Sequence, residues 1–168
     1  MDELKKNFYA QLGKLSVNFS KMEFKLGQIL NYLIGTEEDL ISVTLTENNS
    51  LHQTIELIKK INRIKDFQPK TMKELLERIA AVKSYRNLFI HGIWGEPYES
   101  ENDIKIVCEE RKIRYQEEQT EYGTNKHWRY NNHQTFRLSF LRQLTIKIDD
   151  IILAQDYMLK KLDEEKWN

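Results

Sequence analysis

A chain of 168 residues, 40% of them hydrophobic, has the size of one domain and can bury most of the surface its unfolded form exposes, without a metal or disulfide staple. Its single cysteine, Cys108, excludes an internal disulfide framework and a four-cysteine zinc site, and agrees with a reducing compartment. Lys plus Arg (26) equals Asp plus Glu (26), so no global field marks a nucleic-acid binder, yet residues 51–92 carry nine basic and four acidic groups and form the basic third.

Residues 4–33 read as one long helix. Leu4, Phe8, Leu12, Leu15, Phe19, Met22, Leu26, Ile29 and Leu33 step by fours and threes, the signature of an apolar stripe. Gly35 is placed to end it, and Thr36 to Thr46 form a connector. Ser50 and Gln53 have capping-box spacing, opening a second helix through Leu51, Ile55, Ile58 and Ile61. That helix stops before Pro69, which suits the first turn of a third. The third runs through Met72, Leu75, Leu76, Ile79, Val82 and Phe89 to His91, with Gly92 as a left-handed cap.

From Gly92 to about Asn132 the helical period gives way to alternation: Ile104, Ile106 and Cys108, then Ile113 and Tyr115, then Trp128 and Tyr130. With turns at Gly95-Glu96-Pro97 and Tyr122-Gly123-Thr124-Asn125, this predicts a small antiparallel insertion of two or three strands. Helix resumes near Gln134, its stripe running through Phe136, Phe140, Leu144, Ile148, Ile151, Gln155, Leu159 and Leu162. The expected architecture is mainly α: a single domain over residues 1–168, an antiparallel bundle of four to five helices with a β-rich appendage at 92–132. No apolar run is long enough for a membrane span, so a cytoplasmic protein with no membrane partner is expected.

One stretch combines ionisable side chains suggestively. In Tyr85-Arg86-Asn87-Leu88-Phe89-Ile90-His91-Gly92, Asn87 and His91 lie one turn apart on a helix, and Arg86 is long enough to reach the same space. An imidazole to shuttle protons, a fixed cation for phosphate oxygens and an amide to orient either would serve phosphodiester chemistry. The plain alternative is that His91 satisfies the last carbonyls of the helix while Arg86 sits in a surface ion pair.

Arg86, the polar Asn87 directly after it and His91 four residues further on resemble the R-x(4–6)-H signature of the HEPN superfamily (higher eukaryotes and prokaryotes nucleotide-binding). The resemblance implies a helical homodimer with its active site in the dimer cleft. It also implies metal-independent endoribonuclease activity on RNA, without cofactor, in a toxin or antiviral-defence setting with a possible antitoxin or defence partner. His91 would take the proton of a ribose 2′-hydroxyl or protonate the leaving 5′-oxygen, while Arg86 stabilises the phosphorane. A helix C-terminus favours imidazolium, and two copies across a symmetric interface would divide the acid and base roles. A module of the same fold that binds without cutting, and a silent scaffold, are the competing classes.

Glu23 lies within the first helix's apolar stripe, one residue after Met22 and three before Leu26, where a carboxylate wants a partner; Arg86 or His91 is the candidate, with a stripe-edge glutamate reaching solvent or a lysine as the alternative. Tyr85 is either a site hydroxyl or a core tyrosine with its OH at the surface. Arg111, Lys112, Arg114, Tyr115, Lys126, His127, Trp128, Arg129, Tyr130 and His133 alternate cation and aromatic as a strand-gripping surface would, but five glutamates share the segment. His127 and His133 lack companions at metal-ligand spacing, so no metal site is expected.

Overall fold

A computed structural model describes residues 3–35, 43–44, 46–110, 114–129 and 132–166. Four long helices are described: α1 (Glu3–Ile34), α2 (Leu51–Lys65), α3 (Pro69–His91) and α4 (Leu138–Lys166). Six strands lie between α3 and α4: β1 (Ile93–Trp94), β2 (Tyr98–Ser100), β3 (Asp103–Glu110), β4 (Arg114–Thr120), β5 (Gly123–Arg129) and β6 (Asn132–Arg137). The chain divides into two compact units, Lys14–Arg86 with Leu144–Asn168, and Met1–Gly13 with Asn87–Gln143. None of the described helices is long and apolar enough to cross a membrane.

The first unit is helical. Leu15, Phe19, Met22, Leu26 and Ile29 of α1 are buried with Ile55 and Ile58 of α2, Leu76 and Ile79 of α3, and Ile148 and Met158 of α4. Their spacing by threes and fours puts each set on one face, so the stripes form one core. Local signals set the ends. Gly35, at φ 65°, ends α1 by donating its N–H to the Asn31 carbonyl. Ser50 and Gln53 form the capping box of α2, and Asp66, in the left-handed region, closes it. Asn62 is buried, its Nδ2 donating to the Phe67 carbonyl at 2.9 Å across the turn that leads to α3.

Polar bonds fix the direction of the α1/α4 pair. Asn18 Nδ2 donates to Asp149 Oδ1 at 2.7 Å, Lys25 pairs with Asp156, and Tyr32 Oη donates to Asp163 Oδ1 at 3.4 Å. Both partners advance together by seven residues, so α1 and α4 run parallel, where an antiparallel bundle is expected from sequence. Helices joined by a short loop are forced antiparallel, whereas α1 and α4 are far apart in the chain and free of that constraint. Gln155, the polar member of the α4 stripe, is fully buried and donates to the Met22 carbonyl at 2.9 Å.

In the second unit β3 is central. One edge pairs antiparallel with β1 and β2, the other with β6 over Lys105–Glu110 and Asn132–Arg137. Glu101 and Asn102 both have positive φ and make the tight turn from β2 to β3. Glu101 accepts from Lys105 and Arg137, and the Lys105 hydrogen bond holds its carboxyl below the usual carboxylate range. β4 and β5 form a separate two-stranded hairpin. Phe8, Phe89, Trp94, Phe136 and Phe140 make an aromatic cluster, with Phe89 and Phe136 edge-on at 5.2 Å between centroids.

The β region is therefore larger than the sequence suggests and reaches Arg137 instead of 132. Phe136 fits both periods: it stands four before Phe140, and it alternates with exposed Thr135 and Arg137. The strand prevails because Phe136 is the register partner of buried Ile106, and α4 starts at Leu138. Gly92 also differs from expectation, since its φ is not in the left-handed region. Its N–H continues the helical ladder to the Leu88 carbonyl at 2.7 Å. A Cβ there would overlap both Cys108 Sγ and that carbonyl oxygen, so glycine is required for close approach of β3 to the last turn of α3.

Candidate active site

All three residues of the Arg-Asn-His pattern lie on α3, as its spacing predicts. Arg86 points into the helical unit. Its Nε donates to Glu23 Oε1 at 2.5 Å and its Nη2 to Glu23 Oε2 at 3.2 Å, a side-on bidentate pair joining α3 to α1. The arginine and glutamate side chains are 27% and 29% exposed, so the pair is partly desolvated while still reachable from solvent. Of the two partners considered for Glu23, the structure brings Arg86 to it.

Asn87 and His91 are exposed. One helical turn separates them. Tyr85 is half-buried. His91 is the last residue of α3, and its backbone is set by the packing just beyond it. Cys108 Sγ lies 3.9 Å from the Leu88 carbonyl, to which it donates, and Gly92 is wedged against the same two groups. Burial, with the Glu110 carboxylate second, pushes the Cys108 thiol up to about 11, which keeps it protonated and chemically quiet at neutral pH.

Of the appendage's cation and aromatic groups, the side chains of Tyr115, Lys126 and His133 are described. Residues 111–113 and 130 fall outside the described residues, and so do the side chains of Arg114, His127, Trp128 and Arg129. Tyr115 is partly exposed and donates its hydroxyl to Glu117, which raises its pKa. Lys126 and His133 are exposed. Among the described residues no group of three or more His, Cys, Asp or Glu side chains is placed to hold a metal ion.

Two structural features have little or no signal in the sequence. One is the Gly92–Cys108 contact, which joins residues sixteen apart through sheet pairing. The other is a set of exposed apolar residues on α1 and α4, whose signal is that Val17 and Phe24 fall off the α1 stripe while recurring seven apart. Comparison with protein-family models, with curated proteins and with solved structures finds no match to this chain.

Proposed function

We propose that this chain is a cytoplasmic, homodimeric endoribonuclease of the HEPN type that cuts single-stranded RNA without a metal ion, acting as a toxin or defence effector. The observation that carries the reading is the placement on α3: a guanidinium held in a fixed plane by Glu23, followed by exposed Asn87 and His91. Fixing the plane of an arginine through Nε and Nη2 removes the rotational freedom it would otherwise lose on meeting a phosphate. In the proposed reaction the 2′-oxygen attacks phosphorus, its proton passing to one imidazole, and the P–O5′ bond breaks as a second imidazole protonates the leaving oxygen. The products are a 2′,3′-cyclic phosphate and a 5′-hydroxyl end. His91 of the two copies supplies the two imidazoles, Arg86 stabilises the phosphorane and Asn87 orients either group. Glu23 is a positioning residue in this scheme, and Tyr85 an auxiliary hydroxyl.

The same ion pair favours a second reading, in which Arg86 is a clamp between α1 and α3 and the chain is a non-catalytic dimerisation or RNA-binding module. Cleavage of end-labelled single-stranded RNA in excess EDTA separates the two. The enzyme reading expects cutting that falls by a factor on the order of 10² to 10⁴ in His91→Ala with folding unchanged. No cutting by well-folded protein on several RNAs selects the module, and cutting that survives His91→Ala removes His91 from the chemistry.

A further inference from the structure

Gly27 lies in the interior of α1, where glycine weakens a helix relative to alanine. Packing does not call for it, because nothing lies within 4 Å of where its Cβ would stand, and its φ is not in the left-handed region. Gly13, the other glycine inside α1, is exposed; Gly27 is half-buried and still has open space beside it, so that space is a recess.

The course of the helices shows what borders the recess. A Cβ on Gly35, at the end of α1, would stand 3.9 Å from Lys65 Nζ at the end of α2, and α3 begins only four residues later at Pro69. The start of α3 therefore adjoins the end of α1, and with Arg86 held on Glu23 the two helices run antiparallel. One turn forward from Glu23, at Gly27, then lies beside one turn back from Arg86, where Val82 is buried in the core and Lys83 is half-buried. Among the described residues Lys83 pairs with no carboxylate. A partly desolvated ammonium of this kind favours an anion brought from outside.

We propose that Lys83 binds the phosphate next to the scissile one, the strand entering the recess over Gly27, so that the substrate is an RNA with at least two phosphates. The inference rests on the ribonuclease reading and adds to it the length of strand that the site requires. Residues three apart on a helix are neighbours, ~5–6 Å between Cβ atoms, so Lys83 and Arg86 can each take one of two consecutive phosphates. Their chemistry divides the work. The guanidinium fixed by Glu23 meets a phosphate at a set angle, whereas an ammonium is a point charge that accepts one from many directions and suits a neighbouring, non-reacting group. Glycine at 27 leaves the volume that the sugar-phosphate chain occupies as it passes between α1 and α3.

The test compares a dinucleoside monophosphate with the same molecule bearing a further phosphate at its 5′ or its 3′ end, cut by the full chain in EDTA. The expected result is that the added phosphate at one end raises kcat/KM about tenfold in the wild type, and the end that responds gives the direction of the strand. Lys83→Ala and Gly27→Leu should lose that increment while cutting the one-phosphate substrate at the wild-type rate, and Lys83→Arg should keep it. Gly27→Ala should unfold at a temperature no lower than the wild type, since its methyl enters open space. In single-stranded RNA bound to His91→Ala protein, adding Lys83→Ala should reduce the slope of log affinity against log salt by about 0.7, the share of one phosphate contact. Cutting that no terminal phosphate improves, or an improvement that survives both Lys83→Ala and Gly27→Leu, overturns the proposal and leaves the ribonuclease reading standing. A destabilised Gly27→Ala would make the glycine a packing requirement and overturn the recess. No cutting of any RNA by folded protein overturns the ribonuclease reading, and the proposal with it.

Discussion

Glu23 grips Arg86 side-on through both carboxylate oxygens, 63 positions apart in the chain, and so ties α1 to α3 at a point where neither side chain is fully wet. Removing one partner takes an opposite charge from the other at a site that is partly desolvated. Glu23→Ala and Arg86→Ala should each lower unfolding free energy by on the order of 1–3 kcal/mol, between the values for exposed and buried pairs. The double variant should be less destabilised than the sum, and urea titration of all four proteins measures that coupling. Additive losses would mean the two groups do not act as a pair.

His91 and Asn87 differ from Arg86 in being exposed, and the contrast predicts a separation of roles. His91→Ala should shift stability by no more than about 0.5 kcal/mol, as surface substitutions do. Thermal unfolding followed by circular dichroism checks this directly. A large loss for His91→Ala would identify the imidazole as a structural cap of α3 and weaken its assignment as a proton shuttle.

The helices were legible because a threefold and fourfold apolar spacing has one physical solution, and because Ser50, Gln53, Gly35 and Pro69 mark ends through local chemistry. That Glu23 needs a partner follows from its place at the edge of the stripe; the choice of Arg86 over His91 required the fold. Periodicity tells which face of a helix is buried and nothing about direction, so the parallel run of α1 and α4 had no signal of its own. Phe136 was ambiguous because it satisfies the helical and the strand period at once. Gly92 looked like a cap because caps are a local motif, while its real neighbour, Cys108, arrives through the pairing of β1 with β3.

Gly92→Ala follows from that neighbour. The added methyl would overlap Cys108 Sγ and the Leu88 carbonyl oxygen, and neither is the loose end of a flexible chain. Overpacking of this kind costs about 1–3 kcal/mol and should appear as a lowered urea midpoint. Cys108→Ala in the same protein should recover only part of the loss, because the backbone carbonyl remains in the way. Full recovery would show that the sulfur alone excludes the methyl.

Cys108 gives the fold a defined alkaline limit. Its thiol titrates near 11 when folded against an ordinary 9.0, chiefly because burial disfavours the thiolate. The folded state therefore holds the proton more tightly than the unfolded state does. The stability this confers is complete below pH 9 and declines as pH rises towards 11, where the unfolded chain releases a proton that the native chain retains. Across that window unfolding free energy should fall by roughly 1–3 kcal/mol. In Cys108→Ala the component of the fall due to this thiol should vanish, leaving a shallower slope between the same limits. Urea titrations at pH 8, 9, 10 and 11 on both proteins measure the difference. Parallel curves would mean the thiol ionises alike in both states, in which case β3 does not seal the end of α3 from water. A wild-type curve that bends away from the variant's above pH 9 would place the thiol's proton, and with it the wedge of Gly92, inside a dry contact that persists in solution.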